Sequence, residues 1–200
     1  MPSLAVAQEE TALQLPAPQV SRDVPLIEAL KLRKSSREFS DRPLPLALLS
    51  TLLWAAFGIN RPESGKRTAP SARNWQEIEV YAVVAEGVFR YDAGTHTSQR
   101  TVAGDLRALT GIQDFVGHAP LNLVYVANLT RMTDANAEDR VFFLAADAGF
   151  VAQNAYLFCA AEGLATVVRG LVDRKALASA MRLRTEQRIV LAQTVGYPAA

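Results

Sequence analysis

The apolar residues of this chain repeat with two different periods. Leu26, Ile27 and Leu30 share a helical face, with Asp23 placed to cap it and Pro25 suited to the first turn. That spacing predicts a helix from Pro25 to about Arg33. Leu48, Leu49, Leu52 and Leu53 define the inward face of a second helix, about Pro45 to Phe57, which Gly58 can end. Residues 60–76 read as loop by composition. Ile78 to Val84 reads as a strand, and Glu86 with Gly87 turns the chain into a second strand, Val88 to Tyr91. A helix is predicted over Val102 to Leu109 and a strand over Leu121 to Asn128. Asp134 can cap a lead-in to the longest helix, about Glu138 to Glu162, whose apolar residues on nearly every side mark a central, buried element. Gly163 stops it. A short strand, Ala165 to Val168, precedes a helix from Arg174 to Met181 capped by Asp173, and the last strand is Arg188 to Val195. Helices and strands mix without a βαβ rhythm. The expected class is therefore α+β, with a mainly antiparallel central sheet flanked by helices. No Gly-rich loop joins a strand to a helix, which argues against Rossmann and P-loop nucleotide sites.

Composition narrows the picture further. A chain of 200 residues favours one domain, and at that size it buries roughly 70% of its unfolded surface without needing a staple. With 21 basic and 20 acidic residues, no electrostatic footprint for nucleic acid or a membrane surface is expected. The single cysteine, Cys159, excludes a disulfide framework and a Cys-rich metal site, and its apolar helical surroundings make it a core residue. No apolar run is read as long enough to span a bilayer. Ala5-Val6-Ala7 has the small-x-small look of a signal-peptidase site, yet the apolar stretch before it is short and no basic segment precedes it. A trimmed signal peptide and an accident of composition stand even, so cytoplasm and periplasm both stay open. Residues 1–22 are expected to be a mobile tail before a domain over 23–198.

Four clusters carry candidate chemistry. In an extended chain, Arg33, Ser35 and Arg37 point the same way, so two guanidinium groups flank a hydroxyl. That set suits a phosphate dianion. A solvated basic helix end would show the same residues, and spacing alone favours it. Ala69 to Gln76 surrounds Pro70 with small and amide residues, Ser71 and Asn74 among them, which would let a flat ligand approach the backbone. By itself it reads as a plain connection. Arg169 and Gly170 end a short strand, where glycine permits close approach to a ring and exposed N–H groups can face a redox nitrogen. In Gly111 to Pro120, Gln113 could face a ligand. His118 reads as a loop histidine and His96 as a surface one. Two isolated histidines make neither a metal site nor a nucleophilic triad. Asp147, inside the apolar helix, needs a partner and reads as structural.

In this order the pieces resemble the nitroreductase family. Arg33, Ser35 and Arg37 match an Arg-x-Ser-x-Arg/Lys signature, followed by Phe39 and Asp41 to Pro45. Pro70, Ser71, Asn74 and Gln76 match a Pro-Ser-x-x-Asn-x-Gln loop. Gln153 and Asn154 lie on the long helix, Arg169 and Gly170 follow, and Val195 to Pro198 fits the last core strand. The likeness runs from about Leu26 to Pro198. Gln113 with Ala119 and Pro120 looks more like the subgroup named for thiazole- and oxazole-forming peptide dehydrogenases. That subgroup's Lys-Tyr pair is not placed in this sequence.

The resemblance implies a domain-swapped type of homodimer with FMN at two interface sites and NAD(P)H as reductant. Arg33 and Ser35 would hold the phosphate, and Arg37 would lie near the pyrimidine side of the ring. Pro70, Ser71 and Asn74 would reach the partner's flavin, while the backbones of Arg169 and Gly170 meet the ring. Hydride would pass in a ping-pong cycle to a nitroaromatic, a quinone or a similar small acceptor, which requires no catalytic acid–base residue for the hydride step. A specialised dehydrogenase and a flavin binder without turnover are the alternatives. Family members often supply a further Lys or Arg to the phosphate from beyond the Gly-Tyr-Pro element. Here either Lys66, Arg67 or Arg73, from the same chain or its partner, is expected to substitute, or the phosphate affinity is expected to be lower.

Overall fold

The computed structural model describes residues 12–19 and 22–199. Its centre is a seven-stranded sheet built from β1 (Ala12–Gln14), β4 (Ile78–Val84), β5 (Gly87–Asp92), β6 (Thr97–Ala103), β7 (Leu121–Asn128), β8 (Ala165–Arg169) and β9 (Gln187–Gly196). The spatial order is β1-β6-β5-β4-β7-β9-β8, and every pairing is antiparallel. Two further short strands, β2 (Ile59–Arg61) and β3 (Lys66–Arg67), form a separate hairpin inside the stretch expected to be loop.

Period-two alternation divides the sheet residues between two cores. Ile78, Val80, Ala82, Leu121, Leu123 and Tyr125 face α2 (Leu46–Phe57) and α3 (Ala137–Glu162). Tyr81, Val83, Val124 and Val126 face the other way, onto Leu177 and Met181 at the short helix α4 (Arg174–Ala180). Because both faces are covered, β7 is buried at every position. Asp173 caps α4 through bonds from the Lys175 and Ala176 N–H groups. Gly163 ends α3 in the left-handed region at φ 73, as its place after the apolar run implies.

Several expectations are corrected. The first helix, α1 (Leu26–Leu32), has Pro25 at its N-cap and no side-chain cap from Asp23. Its large apolar residues are not core, for Leu26 is 62% exposed and Ile27 64%, and only Ala29 is buried. The helix expected at Val102–Leu109 is strand β6 followed by a 3-10 turn, Arg107–Thr110. The buried positions of β6, Thr97 and Ser98, are polar, so the hydrophobic alternation that marks a strand is missing there. Asp134 caps no helical lead-in but accepts from Arg73 and Trp75, and Asn136 caps α3 directly. The outer side of α3 leaves Val141, Phe142 and Phe150 exposed, so this helix is only partly buried. At 26 residues, with a mean hydropathy of 1.3 in its most apolar window, α3 is also long and apolar enough to cross a bilayer. Here it packs on α1, α2 and the sheet with Asp147 buried.

The tail is also corrected over residues 12–19. β1 pairs with β6, Leu15 enters the core, and the Pro16 carbonyl accepts from Ser50 Oγ. His96, read as a surface residue, anchors this arm: Nε2 lies 3.0 Å from Pro16 O and 2.9 Å from Ser50 Oγ, and Nδ1 lies 3.0 Å from Tyr91 OH. The signal-like Ala5-Val6-Ala7 falls outside the described residues.

Candidate functional site

After α1 the chain runs extended along β8, the outer strand of the sheet. The Ser36 N–H donates to Thr166 O at 2.9 Å, and Phe39 bridges to Pro198. This course brings Arg33 and Ser35 together on Tyr156 of α3. The Arg33 guanidinium lies 5.4 Å from the Tyr156 ring centroid, and Ser35 Oγ hydrogen-bonds the phenol at 2.8 Å. The Val168 N–H donates to the same oxygen at 2.8 Å, tying the cluster to β8. Among the described residues, no carboxylate pairs with Arg33 or Arg37. Half-buried Arg33 and exposed Ser35 thus present a cation and a hydroxyl beside the outer strand of the sheet, a set that suits an anion. Arg37 is exposed beyond them. A cavity of about 350 Å³, lined by Leu32, Lys34, Ser36, Tyr156 and Thr166, adjoins the cluster. Sequence reasoning missed Tyr156. Its signal was a phenol in an apolar helix, which needs a polar partner.

Arg169 ends β8, but its side chain turns inward. It is 5% exposed and donates to Thr194 Oγ1 (3.1 Å), Thr110 O (2.8 Å) and Asn122 Oδ1 (2.9 Å). These acceptors are neutral, so a buried positive charge stands without a carboxylate among the described residues. Burial pulls its pKa down to about 10, which leaves it charged at neutral pH. Gly170, next in the chain, is exposed, and a Cβ built there would meet nothing. Its φ is not positive, so what this glycine offers is open space and not an unusual backbone angle. Gln113 belongs to the same neighbourhood: Arg169 NH1 and Gln113 Oε1 both crowd Gly111, and Phe115 meets Phe39 at 5.4 Å. Gln113 Oε1 is buried without a hydrogen-bond partner.

The loop carrying Pro70, Ser71 and Asn74 lies elsewhere. It includes a 3-10 turn, Ala72–Asn74, and left-handed backbone at Arg73, Asn74 and Gln76. Ser71 Oγ donates to Glu77 Oε2 at 3.2 Å and accepts from the Gln76 N–H at 2.8 Å. The Ala72 N–H donates to Asp147 Oδ2 at 2.9 Å, which gives the buried helix carboxylate its partner. Pro70 and Asn74 are exposed. A polar hollow of about 610 Å³, lined by Arg61, Lys66, Pro70, Ser71 and Asn74 among others, opens beside them. Of the three cations expected to substitute at a phosphate, two are engaged. Arg67 donates to Gln76 Oε1 and Phe57 O, and Arg73 pairs with Asp134 at 2.8 Å. Lys66 is exposed.

Helix geometry separates the two halves. Asp147 holds the loop and Tyr156 holds the Arg33–Ser35 cluster, nine positions apart on α3. At 1.5 Å and 100° per residue they stand roughly 13 Å apart along the axis and about 180° around it. One chain therefore presents its cation cluster and its amide loop on opposite sides of the same helix. A larger apolar hollow, about 650 Å³, lies between the start of α2 and strands β4 to β6 and shares no lining residue with either.

Comparison with known proteins agrees with this architecture. The family model described as the nitroreductase family matches residues 30–197. A Methanocaldococcus jannaschii protein, provisionally named a nitroreductase, is 35% identical over 163 residues, covering 74% of this chain and 82% of its own length. A crystal structure from Ralstonia eutropha, also provisionally named a nitroreductase, superposes with a TM-score of 0.91 at 48% identity, over 100% of this chain and 95% of that one. A Desulfovibrio desulfuricans structure, solved in complex with FMN, shares the fold at a TM-score of 0.64 and 22% identity, over 89% and 88% of the two chains. With the match running through the cation cluster, the amide loop and the closing strand, this chain belongs to the nitroreductase family of oxidoreductases.

Proposed function

We propose that the chain works as an FMN-dependent homodimer. Each flavin lies between Arg33 and Ser35 of one subunit and the Pro70–Ser71–Asn74 loop of the other. The observation that carries this reading is the placement of the two half-sites on opposite sides of α3, which leaves each of them incomplete within one chain. Exposed apolar residues on α1 and α3, Leu26, Ile27, Val141 and Phe142 among them, give a partner subunit a surface to cover.

The residues present fit the cofactor. Arg33 and Ser35 offer a charge-assisted grip for a phosphate, and Tyr156 holds both in register. The unspent acceptor at Gln113 Oε1 would be satisfied by a ring N–H. Buried Arg169 supplies a fixed positive charge that favours an electron-rich ring, and open Gly170 leaves its N–H accessible. FMN bound there would supply hydride acceptance from NAD(P)H and donation to a small flat acceptor such as a nitroaromatic or a quinone.

The test is the visible absorbance of purified protein, before and after anaerobic NADH or NADPH. A yellow protein that bleaches supports the reading and selects the reductant. A yellow protein that stays oxidised with both nucleotides points instead to a specialised dehydrogenase or a flavin binder. A colourless protein that ignores added FMN overturns the reading.

A further inference from the structure

We propose that Glu77 and Asp147 share a single proton, and that this proton holds the Ser71–Ala72 turn in the position from which its loop reaches the ligand. Both carboxyls are buried, at 0% and 2% exposure, and lie within hydrogen-bonding reach of each other. Each also grips the loop, Glu77 through Ser71 Oγ and Asp147 through the Ala72 N–H. The other carboxyl oxygen of Glu77, Oε1, is buried with no partner. A proton on Glu77, donated towards Asp147, satisfies that oxygen and removes one of two adjacent negative charges.

Among the described residues no cation does this instead. Arg67 is spent on Gln76 and Phe57, Arg73 on Asp134, and Arg131 on the Gln76 carbonyl and Glu79. None of the three bonds to Glu77 or Asp147. Burial, reinforced by the Asp147 charge, pushes the Glu77 carboxyl up to about 7. A pKa raised on folding means that the protonated grip is intact in acid and is lost as pH climbs through about 7. Three left-handed residues, Arg73, Asn74 and Gln76, then have less to hold them. Glu77 and Asp147 are thus positioning residues. Their bearing on FMN rests on the reading above, whereas the shared proton does not.

Three readouts on the full chain separate these claims. Infrared difference spectroscopy should show a protonated-carboxyl band near pH 6 that fades near pH 8 and is missing in Glu77→Gln. With Trp54 replaced by Phe, the fluorescence of Trp75, which sits in the loop, should follow the same titration. If one such proton is linked to binding, the Kd for FMN should rise about tenfold between pH 6 and pH 8. Glu77→Gln, whose amide N–H stands in for the proton, should flatten that slope and keep tight binding at pH 8. Asp147→Asn should flatten it as well. A missing band in the wild type overturns the shared proton. An unchanged slope in Glu77→Gln overturns the positioning role. Failure of the wild type to take FMN at any pH overturns the flavin reading, and the infrared and Trp75 titrations then decide the dyad alone.

Discussion

Tyr156 shows how one side chain organises a site it need not touch chemically. Its ring backs the Arg33 guanidinium, and its hydroxyl joins Ser35 to the Val168 N–H. The ring contact narrows the positions open to the Arg33 guanidinium before a ligand arrives, which lowers the ordering cost of binding. Arg33→Ala should weaken FMN binding by roughly 30-fold or more, the effect of removing one partner of a desolvated charge pair worth about 2–5 kcal/mol. Flavin fluorescence titration measures it, and unchanged retention would remove Arg33 from the phosphate site. Local spacing put Arg33 and Ser35 on one side of an extended chain, but spacing alone favoured a solvated helix end, and only the family resemblance pointed to a phosphate. The sequence could not show that the Arg169 side chain turns inward, since Thr110, Asn122 and Thr194 come from three distant segments.

At the scale of elements, polar neighbours hid what tertiary pairing makes. β1 is only three residues long and β6 is mostly polar, yet they pair because each completes the other's backbone hydrogen bonds at the edge of a large sheet. The arm is then fastened by Leu15, 7% exposed in the core, and by the contacts among Pro16, Ser50 and His96. Leu15→Ala should cost about 2 kcal/mol or more of global stability in urea denaturation, the usual result of opening a cavity at a buried leucine. It should also make the arm more sensitive to protease. An unaltered midpoint would mean that the arm adds nothing to the core. The reverse error occurred at α1, where a clear apolar face proved exposed, because periodicity marks a face that wants cover without saying which chain provides it.

The whole molecule sets the last test. If the half-sites of two subunits combine, a subunit carrying Asn74→Ala mixed with one carrying Arg33→Ala should form dimers with one intact site. Such dimers should bind one FMN tightly, while either variant alone binds none with wild-type affinity. If each flavin were served by a single chain, both sites of the mixed dimer would stay damaged. Equilibrium dialysis of the mixed and the separate variants distinguishes these results.

What the sequence determined by itself was whatever depends on near neighbours. Helical and strand periods located most of the elements, the lack of a βαβ rhythm pointed to an antiparallel α+β class, and the order of the short motifs gave the family resemblance that singled out Arg33, Ser35 and the Pro70–Asn74 loop. What only the tertiary structure decided depends on residues far apart in the chain. It set the pairing of β1 with the polar β6, the inward turn of Arg169, the meeting of Glu77 with Asp147, and the placement of the Arg33–Ser35 cluster and the Pro70–Asn74 loop on opposite sides of α3. Burial and hydrogen bonding between distant segments leave no periodic trace in a sequence, because each partner keeps its own local pattern and the free energy of the contact appears only when the chain closes.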